Sequence, residues 1–253
     1  TKIENIVDDE IAFVDTTQSG AEVAQIMQKY DLEAIPVVNS LGRLLGVITI
    51  DDVVDFITEK AEEDIQVMAG ITGEAEEDDS VWHLAKARIP WLVVGVFGSL
   101  LAASVIRQFE DTLARVSALA MFIPIMGSTG GNVGIQTSSL IVQSLAEKSG
   151  ISIGLWERLS KVIRVALING LVVGVVTGIY VYAIGEPELF WVVCISLFSV
   201  VILASFMGTI TPLILDKIGI NPAMASGPFI TTANDLIGIG TYFLIAYYLL
   251  RLN

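Results

Sequence analysis

Residues 222–250 read PAMASGPFITTANDLIGIGTYFLIAYYLL, 29 residues with one charge among them, Asp235. A run of that length spans a bilayer with some tilt. Four more apolar stretches precede it: Ile89–Ile106, Val116–Leu145, Val165–Ile184 and Leu189–Leu215. Each has the length of a transmembrane helix. None of the four contains Asp, Glu, Lys or Arg, so Asp235 is the only charged side chain in the five. A carboxylate at membrane depth is costly and faces a cavity, a partner or an ion. With no base in these stretches to pair with it, a passing cation is the expected partner.

The chain is 53% hydrophobic with a mean hydropathy of +0.70, an average over two unlike parts. Residues 1–80 hold 20 acids and four bases, a net charge of −16, whereas residues 81–253 hold ten bases and eight acids. This break predicts an acidic soluble part followed by a membrane part. Acidity on that scale argues against binding nucleic acid or anionic lipid through the soluble part, since both require basic surface. Cys194 is the single cysteine, which excludes an intrachain disulfide. The chain starts at Thr1 without a signal-peptide pattern and is expected to be a fragment whose natural N-terminus lies upstream.

With the N-terminal part inside, the inner connections carry Lys86, Arg88, Lys148, Arg158, Lys161, Arg164 and Lys217. The outer ones carry Arg107, Arg115 and Arg251. The positive-inside rule then places residues 1–88 in the cytosol and the C-terminus outside a multi-pass cell-membrane protein.

In the soluble part, Ala12–Val14 reads as a strand, and Ser19 with Glu22 forms a capping box that starts a helix. Residues 34–38 and 44–50 read as two strands joined by the turn Asn39-Ser40-Leu41-Gly42. A second helix follows from Asp51 or Asp52 to about Gly70, with Val53, Val54, Ile57, Ala61, Ile65 and Met68 spaced by three and four. Glu59, Glu62, Glu63 and Asp64 crowd its exposed side. A solvated acidic face explains them. Like charges at that spacing also destabilise a helix, so a divalent counter-ion would relieve a real cost. Residues 73–80 read as an acidic linker. His83 beside Trp82 reads as an interfacial anchor.

The order of these elements, with Tyr30-Asp31-Leu32, Ala34, Pro36-Val37-Val38, Gly42-Arg43-Leu44, Gly46, Ile48-Thr49 and Asp52, resembles one CBS (cystathionine β-synthase) motif. Such motifs pack in pairs, and one is present. In that family Thr49 and Asp52 match the positions that hold a nucleotide ribose; a strand end and a helix cap explain the same two residues.

In the membrane part, residues 122–139 read FIPIMGSTGGNVGIQTSS, with Gly127, Gly130 and Gly131 and with Asn132 and Gln136 four apart on one helix face. Small residues serve close helix packing. The amides and the Pro124-to-Gly run favour a lining for a polar path, where irregular backbone is tolerated. In the fifth stretch, Gly227, Thr231, Thr232 and Gly238 are read as lining the path beside Asp235, and Pro228 is expected to free a carbonyl toward it. One carboxylate with hydroxyls and carbonyls, and no thiolate or imidazole, is a hard oxygen site. Mg²⁺ suits such a site, since it keeps several waters and needs one or two carboxylates.

Pro124–Gln136 and Gly227–Gly238, following a CBS motif and an acidic helix, resemble the MgtE family of magnesium channels over the whole chain. The fold expected is a mainly α membrane protein, with a partial α/β CBS domain (1–57), an acidic connecting helix (52–70), a linker (71–88) and a five-helix domain (89–253). The resemblance implies a non-enzymatic homodimer with the ion path at the subunit interface, lined by the second and fifth helices, and Asp235 as the essential carboxylate. It also implies that the acidic helix is a plug whose acids bind intracellular Mg²⁺ and close the pore. The family's N-terminal domain and first CBS motif are absent from this sequence, and Asn221 stands where the family often has Asp. Two rival readings are a proton-coupled secondary transporter and a membrane-anchored CBS sensor that transports nothing.

Overall fold

The computed structural model describes residues 12–73, 75–146 and 154–250, and it divides into two units, Thr1–Asp64 and Ile65–Asn253. Glu74, Lys148 and Arg251, which entered the charge reading above, lie outside the described residues, as do residues 1–11 of the CBS stretch.

In the first unit, β1 (Val14–Asp15), β2 (Ala34–Val38) and β3 (Leu44–Thr49) form one sheet in that order. β1 runs parallel to β2, and β2 antiparallel to β3. A parallel pair requires a crossover, supplied by α1 (Gly20–Tyr30). The Ser19–Glu22 capping box starts α1, and Asp31 ends it in the left-handed region at φ 52°. The strand expected at Ala12–Val14 lies at Val14–Asp15, because these two residues find register with Val37 and Val38. Asp15 points outward and accepts hydrogen bonds from the Thr17 hydroxyl and amide, which hold its carboxyl below the usual carboxylate range.

The β2–β3 turn is built on Asn39, whose Oδ1 accepts from the Leu41 and Arg43 amides at 3.0 and 2.9 Å. Gly42 closes the turn at φ +73°, a conformation glycine takes at no steric cost. β3 ends at Thr49, since Ile50 already opens α2 (Ile50–Met68). Val14, Val23, Met27, Ile35 and Val53 form the core of this unit. Leu44, Leu45 and Val47 of β3 and Val54 and Ile57 of α2 remain exposed.

The second unit contains α3 (Val81–Gln108), α4 (Glu110–Arg115), α5 (Ile123–Ala146), α6 (Leu155–Ala183), α7 (Phe190–Lys217) and α8 (Pro228–Leu249). Among the described residues, five segments are long and apolar enough to cross a bilayer: Val81–Gln108, Ser117–Ala146, Leu155–Ala183, Pro187–Lys217 and Pro222–Leu249. The chain is a mainly α, multi-pass membrane protein with a small sheet at its N-terminal end. The first membrane helix starts at Val81, ahead of the apolar stretch that opens at Ile89. The Ser80 hydroxyl caps it by accepting from the His83 amide, and Lys86 extends over the Trp82 ring at 5.6 Å.

The two prolines expected to free carbonyls do not. α5 starts at Ile123, directly after a 3₁₀ turn over Ser117–Phe122, so Pro124 lies in its first turn; α8 starts at Pro228 itself. A first-turn amide has no intrahelical partner to lose, so proline there releases nothing. The Pro124-to-Gly run is therefore continuous helix, and the fifth stretch is a short turn, Pro222–Ala225, followed by a 22-residue helix.

α7 packs against α5, α6 and α8, while α3 packs against α8. Leu197 and Val200 of α7 join Leu119, Phe122, Tyr242 and Phe243 in the core of this unit. The buried Tyr242 hydroxyl donates to the Leu119 carbonyl at 2.9 Å, tying α8 to the turn before α5. Tyr242→Phe leaves that carbonyl without its donor and is expected to cost about 1 kcal/mol. A denaturing-detergent titration should show a lower unfolding midpoint at unchanged helix content; an unchanged midpoint would mean that the hydroxyl adds nothing.

Candidate functional site

α5 and α8 approach closely because α5 presents glycines to α8. A Cβ at Gly127 would lie 3.0 Å from Asp235 Oδ1, and one at Gly131 would lie 3.0 Å from the Thr231 methyl. At Gly134 a Cβ would run into the Asn234 amide and stand 3.2 Å from Ile230. Positions 127, 131 and 134 thus meet 235, 231 and 230, so the two helices run antiparallel. Glycine on the facing helix is the condition for this spacing.

Asp235 is half-buried beside Gly127, and among the described residues it makes no hydrogen bond or ion pair. It lies about 10 Å along α8 from Pro228 at 1.5 Å per residue, inside the membrane span. Thr231, one turn earlier, donates its hydroxyl to the Gly227 carbonyl at 2.9 Å, leaving its oxygen as an acceptor near the same groove. A carboxylate and a hydroxyl oxygen one turn apart form the hard-oxygen set expected from the sequence.

The structure changes the reading of several other residues. Thr232 packs on α3, since a Cβ at Gly98 would collide with it. Gly130 and Gly238 are buried against Val200 of α7, and Gly127 and Gly131 are buried against α8. Within one chain these four glycines serve close helix packing. Asn132 and Gln136 are exposed and, with Ser128, form a polar stripe at every fourth residue along the outer face of α5.

Asn234 was missed by the sequence reading. It is 2% exposed, and its Nδ2 has no hydrogen-bond partner among the described residues. An amide directly before the lone Asp of an apolar stretch was the signal available. Ser138 was also passed over: its buried hydroxyl donates to the Ala225 carbonyl at 3.0 Å and lies 3.0 Å from the Ser226 hydroxyl, fixing the turn ahead of α8.

Gly227 is placed at a junction instead of along a path. It takes φ +59°, and any Cβ there would collide with the Met68 carbonyl at the end of α2. Gly70, at φ +78°, abuts the Pro228 ring, where a Cβ would lie 2.7 Å from Cγ. The last turn of the acidic helix therefore rests on the first turn of the helix that carries Asp235.

On α2 itself, Lys60 bonds Glu63 and lies 3.6 Å from Asp64. The Glu63 bond, aided by Asp64 and opposed by partial burial, raises the Lys60 ammonium above its ordinary range. Glu59 and Glu62 are exposed. Among the described residues no three acids, histidines or cysteines converge to hold a metal. At the CBS positions, Asp52 accepts from the Thr49 hydroxyl at 2.7 Å and the Thr49 amide at 2.9 Å, which lowers its pKa from the ordinary value. These bonds are those of a helix cap at the start of α2.

Residues 123–245 match the family of MgtE, described as a divalent cation transporter, and residues 3–59 match the CBS domain. The chain belongs to the MgtE family. It is 34% identical to the magnesium transporter MgtE of Bacillus subtilis over 246 residues, 97% of this chain and 54% of that protein. It is likewise 34% identical to the magnesium transporter MgtE of Thermus thermophilus, over 99% of this chain and 56% of the relative. The corresponding Enterococcus faecalis protein is 32% identical over 99% of this chain and 55% of its own length. The chain thus spans about half the length of the curated relatives it matches. The MgtE match includes the whole α5–α8 contact and Asp235.

Gly127→Ala tests the positioning of the carboxylate. The added methyl forces Asp235 Oδ1 aside by a few tenths of an ångström, and the half-saturating concentration for divalent-cation flux is expected to rise severalfold with the helix content retained. Unchanged saturation would separate Gly127 from the site.

Proposed function

We propose that this chain forms the pore of a Mg²⁺ channel and admits the ion to the cytosol down its electrochemical gradient. The observation that carries this reading is Asp235, the only charged residue in the five uninterrupted apolar stretches, half-buried and without a hydrogen-bond or ion-pair partner among the described residues. The names of the relatives support magnesium as the cargo. A membrane potential drives a divalent ion by about 4.6 kcal/mol per 100 mV, twice the single-charge value, so no coupled ion is needed.

Two protomers complete the path. The exposed Ser128, Asn132 and Gln136 stripe is polar at a depth where lipid would leave it unsatisfied, which favours a second copy across a water-filled path. Paired Asp235 carboxylates then hold one largely hydrated Mg²⁺. The exposed apolar residues of β3 and α2 support a second CBS motif as their natural cover.

Gating works through α2, with its N-terminal domain on the cytosolic side. Mg²⁺ bound by Glu59, Glu62, Glu63 and Asp64 favours the closed state, and its differential affinity for that state is the whole driving force. We read the regulatory ion as bridging acids of different chains, each supplying one or two carboxylates. The contact of Met68 and Gly70 with Gly227 and Pro228 carries the change to α8. Thr49 and Asp52 already bond each other at the start of α2, and we read that pair as a cap.

The test is flux into liposomes under an inside-negative potential and no pH gradient. Wild type should carry Mg²⁺, and folded Asp235→Ala should carry none; Mg²⁺ flux through folded Asp235→Ala would overturn the proposal. Flux that required a proton gradient would make the protein a coupled transporter. In the same assay, neutralising the four α2 acids should shift Mg²⁺-dependent closure, and unchanged closure would remove α2 from the gate.

A further inference from the structure

A groove of about 530 Å³ lies between α5 and α6, at the end of the membrane domain where α6 begins. Two cations face it, Arg158 and Lys161, and one carboxylate, Glu157. None of the three makes an ion pair among the described residues. Arg158 Nη2 donates to the Ser144 hydroxyl at 3.2 Å, while its Nη1 is buried with no hydrogen-bond partner among the described residues. A guanidinium nitrogen buried without an acceptor is costly, so this geometry calls for an acceptor that the described residues do not provide. Beside the two cations the groove has an apolar stretch, walled by Leu140, Val162 and Val165, before Gln136, Thr137, Asn169 and Ser205 line its far end.

We propose that this groove seats one phospholipid with an anionic headgroup. The depth is right for it. α6 has 29 residues, about 43 Å, against a hydrocarbon core of about 30 Å, so roughly four residues at each end lie at headgroup level. Arg158 and Lys161 are the fourth and seventh residues of α6 and sit at that boundary, one turn apart on one face. An Arg fork takes a phosphate with two parallel hydrogen bonds, and a neighbouring ammonium adds a point charge. A basic pocket between transmembrane helices is the setting in which acidic headgroups bind. The volume falls in the range of sites for ligands of several hundred daltons, and the apolar wall holds the upper part of an acyl chain. A free phosphate gains nothing from that wall. Neither cation belongs to the ion-binding set proposed around Asp235, although Gln136 of the polar stripe borders the groove as well.

Native mass spectrometry of the whole chain, released from detergent with added dioleoyl phosphatidylglycerol or dioleoyl phosphatidylcholine, tests the proposal. Wild type should retain one phosphatidylglycerol per chain in preference to phosphatidylcholine. Arg158→Gln with Lys161→Gln should weaken that retention about tenfold. Lys161→Gln alone, at an exposed position, should weaken it less and guards against loss of fold. Val165→Trp, which fills the apolar stretch and keeps both charges, should also release the lipid. Lys217→Gln, outside the groove, should change nothing. Equal retention of both lipids, or of phosphatidylglycerol by the double variant, would overturn the proposal. Displacement by millimolar inorganic phosphate with Val165→Trp unaffected would show a free-anion site instead. Loss of a chain–chain dimer in the double variant with lipid retention unchanged would show a seat for a second copy.

Discussion

The close approach of α5 and α8 is the constraint on which the rest of the membrane unit depends. Lipid offers no hydrophobic drive for one helix to prefer another, so association rests on packing and on polar contacts. The missing side chains at Gly127, Gly131 and Gly134 let α8 settle against the α5 backbone. That approach places Asp235 over Gly127, buries the Asn234 amide over Gly134, and brings the Gly134 carbonyl against Gly208 of α7. A β-carbon at any of these positions meets a neighbour at or inside contact distance. The position of the carboxylate is therefore a consequence of packing, set before any ion arrives.

Around that contact the buried polar groups are mostly satisfied within the chain, as a bilayer requires. Tyr242 donates to Leu119, Thr231 to Gly227, Thr209 to Ser205, and Ser138 to Ala225. Nothing among the described residues bonds Asp235, the Asn234 amide nitrogen or the Ser196 hydroxyl of α7, and the first two lie side by side at the α5 contact. Groups left unmatched in an otherwise matched interior are where ligand chemistry is expected. The junction of Gly70 and Gly227 adds a mechanical link. There the Gly227 backbone meets the Met68 carbonyl with no side chain between them, and Gly70 abuts the Pro228 ring.

Much of this was readable from residue order alone, for local reasons. The five spans follow from uninterrupted apolar length, and the Ser19–Glu22 cap and the Asn39–Gly42 turn follow from short-range chemistry. What periodicity could not reveal was the partner of each helix face. It grouped Thr231 with Thr232, yet one meets α5 and the other α3. It read Gly130 and Gly238 as lining, although Val200 of α7 fills the space beside them. By residue order Pro228 reads as a helix interruption, because the turn at Pro222–Ala225 is as apolar as the helix it precedes. Asn234 escaped notice because its neighbour Asp235 carried the charge. In each case the deciding fact is a tertiary contact, which spacing along one helix does not contain.

The central claim is that the Asp235 carboxylate, held by the α5–α8 contact, receives the divalent cation. The most direct measurement is anomalous diffraction from crystals of the protein grown with Mn²⁺ or Co²⁺ in place of Mg²⁺. The account predicts an anomalous peak within about 5 Å of the Asp235 carboxylates, direct or through one shell of water, and its loss in Asp235→Ala crystals. Peaks confined to the acidic helix and the linker, with none beside Asp235, would contradict it.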